Sequence, residues 1–168
     1  MGYLGRYASS SELLRRTLLR RVERAARAGV SVRAEGRQLV EALLARLAAK
    51  GLLNDGEFAL AKARSYHRQG RSRAIIARAL AAKEVGRGEI ERALAALGET
   101  SADPELEAAL AFARRRRIGP YRAEAERAAL RAKDLAAFGR AGFSFEIARR
   151  LLDAESPAAI RAELEGRG

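Results

Sequence analysis

Apolar residues return at intervals of three and four along most of the chain, and glycine, serine or proline separates the runs. That period belongs to an α-helix with one buried face. Leu13, Leu14, Leu18 and Val22 form one such stripe, with Arg15, Arg16 and Arg20 outside it. Ser9 and Glu12 have capping-box spacing, which predicts a helix starting at Ser10. Ala28-Gly29-Val30-Ser31-Val32 breaks the pattern. A second helix is predicted over 35–50, where Leu39, Val40, Leu43, Leu44 and Leu47 share a face and Gly51 provides the stop. Asn54 and Glu57 repeat the capping spacing ahead of a helix over 57–69 that ends at Gly70. Helices are predicted over 72–83 and 89–97, with Gly86-Arg87-Gly88 as the turn between them. Residues 98–103 read as a linker. Pro104 suits the first position of a helix running to Arg117, and Gly119-Pro120 ends it. Helices over 123–141 and 145–153 follow, and Ser156-Pro157 opens a short terminal helix that is expected to fray.

The pattern is also copied. Ser10, Leu13-Leu14 and Leu18 fall in register with Ser72, Ile75-Ile76 and Leu80 at an offset of 62 positions. A weaker copy at an offset of 58 sets Leu80, Val85 and Leu94 against Phe138, Phe143 and Leu152. Copied helical units imply an array of helix trios, over 1–53, 54–98 and 103–153, with a tail or short helix over 154–168. The first unit has a short leading helix, Gly2–Tyr7, and an insertion at about 25–36, because Leu18 to Leu47 spans 29 positions where Leu80 to Leu97 spans 17. The expected fold is all-α: tandem three-helix repeats, each like a helix-turn-helix unit, forming an elongated, curved array. Arrays present surfaces, so function is sought in surfaces.

Composition narrows this further. Hydrophobic residues are 48% of the chain but aromatics only 5%, which predicts a thin core of closely packed helices. Cysteine is absent, so there is no disulfide framework or thiolate metal site, and an intracellular compartment fits this absence. No apolar run approaches a membrane span or a signal-peptide core. The formal charge is +12, and residues 1–50 hold 11 basic against 4 acidic side chains. That skew points to a polyanionic partner, nucleic acid or an acidic protein surface.

Catalytic chemistry has no foothold. His67 is the one histidine, beside Tyr66 and Arg68, and reads as a surface or boundary residue. There is no phosphate-binding P-loop and no nucleophile elbow; Gly86-Arg87-Gly88 follows a helix and lacks a third glycine. Carboxylates stand singly beside arginines, the pattern of exposed ion pairs, and no buried pair is read out. No catalytic residue, metal site or cofactor is expected, and the chain is read as no enzyme.

Three basic sets are the candidate partner- and DNA-binding residues. Arg114, Arg115, Arg116 and Arg117 are the densest run, though on a helix they point four ways, and cations are favourable at a helix C-terminus in any case. Arg64, Arg68, Arg71 and Arg73 flank the Gly70 turn. Arg15, Arg16, Arg20 and Arg24 run along the first helix with Arg21 and Arg27, and Arg20, Arg24 and Arg27 share a face. Like charges so spaced cost helix stability, which a ligand would offset. The alternative reading of each set is a solvated helix face.

The run from Arg46 to Ala59, with Lys50-Gly51-Leu52-Leu53-Asn54-Asp55-Gly56-Glu57-Phe58-Ala59 at its centre, resembles the hallmark of the RecX family: a helix ending in glycine, then Leu-Leu-(Asp/Asn)-Asp, two residues and Phe-Ala. Tyr3-Leu4-Gly5-Arg6 resembles the family's opening Tyr-Leu-x-Arg, Ser10 with Leu14 and Leu18 its Ser-x-x-x-Leu-x-x-x-Leu, and Arg140 to Ile147 its late Arg-Arg-Gly-Phe-Ser-Tyr-Asp-Val. The resemblance spans Tyr3 to Asp153. The chain departs from it in the insertion of the first unit and in Lys83-Glu84-Val85, where the family has a Gly-hydrophobic pair. Gly51, Leu52, Asn54, Asp55, Glu57 and Phe58 match the motif and are read as a helix stop, a helix cap and a core anchor. The resemblance implies tandem three-helix repeats and a bacterial cytoplasmic regulator of DNA repair and recombination, in the SOS response. Such a regulator binds the RecA–single-stranded-DNA filament and inhibits or modulates ATP hydrolysis, strand exchange and filament growth. It also implies affinity for single-stranded and double-stranded DNA, and no membrane; the chain is expected to be a monomer. The other class of reading is a sequence-independent DNA-binding protein that acts without a recombinase, for which +12 suffices.

Overall fold

The computed structural model of the protein describes residues 10–30 and 32–166. The expected leading helix Gly2–Tyr7, the opening Tyr3-Leu4-Gly5-Arg6 and Ser9 lie outside the described residues. Among the described residues all regular structure is helical. In chain order the helices are α1 (Ser11–Arg27), α2 (Arg33–Ala49), α3 (Asp55–Arg68), α4 (Arg73–Ala81), α5 (Arg87–Gly98), α6 (Pro104–Arg116), α7 (Glu124–Arg140), α8 (Phe145–Asp153) and α9 (Pro157–Glu165), with a 3-10 turn at Gly119–Tyr121 before α7.

Local chemistry sets most of these boundaries. Ser10, Ser72, Ser144 and Ser156 each accept a backbone N–H from three residues on, the N-cap bond that a short hydroxyl supplies. Ser10 is therefore the cap of α1. Asn54 accepts from Glu57 N at 3.1 Å and Asp103 from Leu106 N at 3.1 Å, which opens α3 and α6. α2 begins at Arg33, two residues earlier than the apolar pattern marks. The expected turn Gly86-Arg87-Gly88 is overturned: Gly86 is the N-cap of α5, and Arg87 and Gly88 are its first two residues. The bend lies two residues earlier, at Glu84, whose φ of +58° is left-handed.

Two cores are distinct. Phe58, Ala59 and Ala63 of α3 close on Ile76 and Leu80 of α4, Val85, and Ala93 and Leu97 of α5. Alanines at the contacts let the helix axes approach closely. The second core joins α6 to α9 around Phe112, Phe138 and Phe143, whose ring centroids lie 5.3–5.8 Å apart, a favourable tilted cluster. Ile160, 3% exposed, anchors α9 in this core, so the terminal helix is docked. The α1–α2 hairpin is different: α1 buries no residue fully and α2 only Val40. The helices thus fall into three groups, α1–α2, α3–α5 and α6–α9.

Candidate functional site

The groups are joined by a latch that occurs twice. The Ser10 hydroxyl, besides capping α1, donates to the Lys83 carbonyl at the α4–α5 bend. The Ser72 hydroxyl caps α4 and donates to the Ala141 carbonyl, 2.7 Å away, at the α7–α8 bend. Each serine lies at the N-terminus of a helix whose first backbone N–H is also taken by the next group. Ser11 N donates to Asp55 at 2.8 Å, and Arg73 N to Glu105 at 3.1 Å. Asp55, read from sequence as part of a helix cap, thus also ties α1 to α3. The two bends differ. The residue after Ala141 is Gly142, φ +79°, and a Cβ there would lie 2.7 Å from Ser72 Oγ. At the other bend Glu84 takes the left-handed position and pairs with Arg16 of α1; its Oε2 is buried with no hydrogen-bond partner among the described residues.

A third contact brings α3 against α6. Gly70, φ +73°, ends the α3 helix, and a Cβ there would lie 2.4 Å from Phe112 N. Only glycine fits such an approach of two backbones. His67, one turn earlier and 8% exposed, places Nε2 2.6 Å from the Pro104 carbonyl at the start of α6. The histidine is therefore a buried junction residue.

The crossing joins the two helices that carry two of the basic sets. Arg64 and Arg68 of α3 are exposed and have no ion pair among the described residues. Arg71 lies over the Tyr66 ring at 4.2 Å, beside Gly70. On α6, one turn past the crossing, Arg116 lies over Phe112 at 5.9 Å, and Arg114, Arg115 and Arg117 are exposed without ion pairs among the described residues. Arg117 is the helix C-cap, φ +54°, so the run does not continue the α6 spiral to its last residue. Arg64, Arg68, Arg114, Arg115 and Arg117 are thus exposed cations left without an ionic partner among the described residues.

The other sequence candidates are placed differently. Arg73 gives its guanidinium to the Leu94 carbonyl at 3.0 Å. Arg15 pairs with Glu41 at 2.7 Å and Glu12 at 3.7 Å; the hydrogen bond to Glu41 holds its pKa above the ordinary value. Arg16 is committed to Glu84. Arg20 and Arg24 are exposed without ion pairs among the described residues, on a helix remote in sequence from the α3–α6 crossing. Of the motif residues, Gly51 turns left-handed at φ +67°, Leu52 is 52% exposed, Asn54 accepts from Glu57 N, and Phe58 is core.

One buried pair escaped the sequence. Asp134, 2% exposed, accepts two hydrogen bonds from Arg122, both 2.8 Å, and one from Gly119 N at 3.1 Å. Burial pushes its pKa up, but the Arg122 and Gly119 bonds outweigh it and the net shift is down. The reading that carboxylates stand only at the surface is thereby corrected. Glu105 shifts the other way: burial raises its pKa against the Arg73 N–H. Among the described residues no three His, Cys, Asp or Glu side chains gather as a metal site, and no helix is long and apolar enough to cross a membrane.

Residues 54–94 match the family model described as RecX, second three-helix domain. The chain is 43% identical over 153 residues to the regulatory protein RecX of Myxococcus xanthus (strain DK1622), covering 90% of this chain and 80% of that one. It is 42% identical over 100 residues to the regulatory protein RecX of Agrobacterium fabrum (strain C58), covering 60% of this chain and 51% of that one. No solved structure matches.

Proposed function

The chain belongs to the RecX family, and from that premise we propose that it regulates the RecA recombinase by binding the RecA–single-stranded-DNA filament through the exposed arginines of α3 and α6. The family is one of regulatory proteins, and the regulation proposed is restraint of ATP hydrolysis, strand exchange and filament growth, without catalysis by this chain. The observation that carries the reading is that Arg64, Arg68, Arg114, Arg115 and Arg117 have no ionic partner among the described residues, on two helices whose backbones meet where Gly70 approaches Phe112. A filament offers both phosphates and acidic protein surface along one path, and such a set meets both.

The test is RecA-catalysed ATP hydrolysis on single-stranded DNA with the wild-type chain and with Arg64→Glu/Arg68→Glu/Arg71→Glu. Wild type slows hydrolysis, and the triple variant loses most of that effect while keeping its helical content. Equal inhibition by both proteins overturns the surface assignment. A second reading, DNA binding without a recombinase, draws on Arg20 and Arg24, which have no ion pair among the described residues and extend the charge beyond the crossing. Binding to bare DNA as tight as to RecA-coated DNA, at equal salt, favours it.

A further inference from the structure

Phe145 stands apart from the other phenylalanines. Phe58, Phe112, Phe138 and Phe143 are 0–6% exposed, whereas Phe145 is 66% exposed. It is the first residue of α8, after the capping Ser144. Ala148 and Leu151 of that helix enter the core, while Phe145 and Arg149, one turn apart, share an exposed flank. Phe112, Phe138 and Phe143 pack on one another, and cations lie over Phe58, Tyr66 and Phe112. The Phe145 ring has no such partner among the described residues.

The ring has cations to either side of it in the chain, and its root is fixed. Arg149 and Arg140, the last residue of α7, are exposed without ion pairs among the described residues. Glu146, the adjacent carboxylate, points about 100° round the helix from Phe145. Between Arg140 and Phe145 the chain turns at Gly142, which lies against Ser72 and Ile75 of the neighbouring group. These features select the occupant. A stable protein interface buries about 1,200–2,000 Å² around an apolar core. Among the described residues of α6 to α9, no other large hydrophobic side chain is exposed to build one. An unpaired nucleobase needs only one ring face, and its neighbouring phosphates need nearby cations.

We propose that Phe145 stacks an unpaired base of single-stranded DNA, with Arg140 and Arg149 attracting the phosphates next to it. The contact goes beyond the filament reading, because it is made to the strand itself and needs no recombinase. Loss of this contact leaves the proposed regulation of RecA standing, and equal inhibition by the Arg64→Glu/Arg68→Glu/Arg71→Glu protein leaves the contact standing.

The sequence has no tryptophan, so Phe145→Trp places a single indole fluorophore at this position of the full chain. The probes are a thymidine oligonucleotide of about 15 nucleotides, an abasic strand of the same length and the corresponding duplex. The thymidine strand quenches the emission to saturation; the abasic strand and the duplex, which offer no free base, leave it nearly unchanged. Phe145→Ala weakens binding of the thymidine strand about five- to tenfold, with the abasic strand unaffected and circular dichroism unchanged. Arg140→Ala/Arg149→Ala weakens both single strands alike, and less at high salt. Equal quenching by the thymidine and abasic strands overturns the proposal, as does unchanged binding of the thymidine strand by Phe145→Ala. So does a Phe145→Ala protein that loses binding to DNA-free RecA yet keeps the thymidine strand, which makes a protein pocket the occupant.

Discussion

The hydroxyl of Ser72 does two jobs: it caps α4 by accepting from Ile75 N at 3.4 Å, and it donates to the Ala141 carbonyl at 2.7 Å across 69 positions of chain. Ser144, an exposed cap, receives Ile147 N at 3.2 Å and has no such second partner in another group among the described residues. Ser72→Ala is expected to cost about 2–3 kcal/mol, cap and buried bond together, and Ser144→Ala about 1 kcal/mol. Urea titrations of the two variants measure the difference. Equal losses would mean that the cross-group bond contributes nothing.

Gly70→Ala meets both a left-handed φ and the Phe112 backbone. The expected loss is about 3 kcal/mol or more, since neither helix can move away without opening the junction. Gly51→Ala has the same handedness with open space around it, and is expected to cost about 1 kcal/mol. Thermal unfolding of the pair separates crowding from backbone strain.

Arg16 and Glu84 form the ion pair that replaces glycine chemistry at the α4–α5 bend. A double-mutant cycle with Arg16→Ala and Glu84→Gly is expected to give a coupling of about 1 kcal/mol, because the pair is only partly exposed. Glu84→Gly alone relieves the left-handed strain, so its net effect is expected within about 1 kcal/mol of zero. A coupling of zero in the cycle removes the ion pair from the account of that bend.

The two shifted carboxylates predict opposite pH responses. Asp134 has a lowered pKa in the fold, so its contribution is fully present above the ordinary aspartate value and is lost as pH falls through the folded one. Asp134→Asn is expected to cost about 3 kcal/mol at neutral pH and progressively less in acid. Glu105 has a raised pKa, so its ionisation weakens the fold as pH rises through that value. Glu105→Gln keeps an acceptor for Arg73 N and is expected to unfold at higher denaturant than wild type at neutral pH, with the advantage gone in acid. Denaturant midpoints across the acid range test both signs.

Replacing Arg114 and Arg115 together with Ala is expected to lower the slope of log affinity against log salt on single-stranded DNA by about 0.7 for each phosphate that the protein no longer neutralises. Fold stability is expected to hold, since both side chains are exposed and neither has an ion pair among the described residues. Titrations at several salt concentrations measure the slope.

Much of the helical scaffold is legible in the chain because its signals are local. The Leu13-Leu14-Leu18 stripe, the cap spacing of Asn54 and Glu57, and the stop at Gly51 each depend on neighbours within a turn or two. The junctions are not local. Ser10 and Ser72 stand out as register marks, but their acceptors lie 73 and 69 positions away and are backbone carbonyls with no signature. Asp134 sits between Lys133 and Leu135 like any surface carboxylate; only the turn at Gly119–Tyr121 brings Arg122 to it. His67 reads as a surface or boundary residue, and only the placing of Pro104 of α6 against it buries it. At the candidate site the arginines themselves are plain in the sequence. Which of them stay uncommitted is decided by carboxylates such as Glu41 of α2 and Glu84 of the α4–α5 bend, distant in sequence from the arginines they pair with.

The absence of a Cβ at Gly70 has a thermodynamic corollary. Because α3 and α6 touch at the level of their main chains, their mutual orientation is settled before any ligand arrives, and association need order only guanidinium rotamers. Docking at that crossing should therefore be fast, governed by long-range attraction, and accompanied by little heat-capacity change.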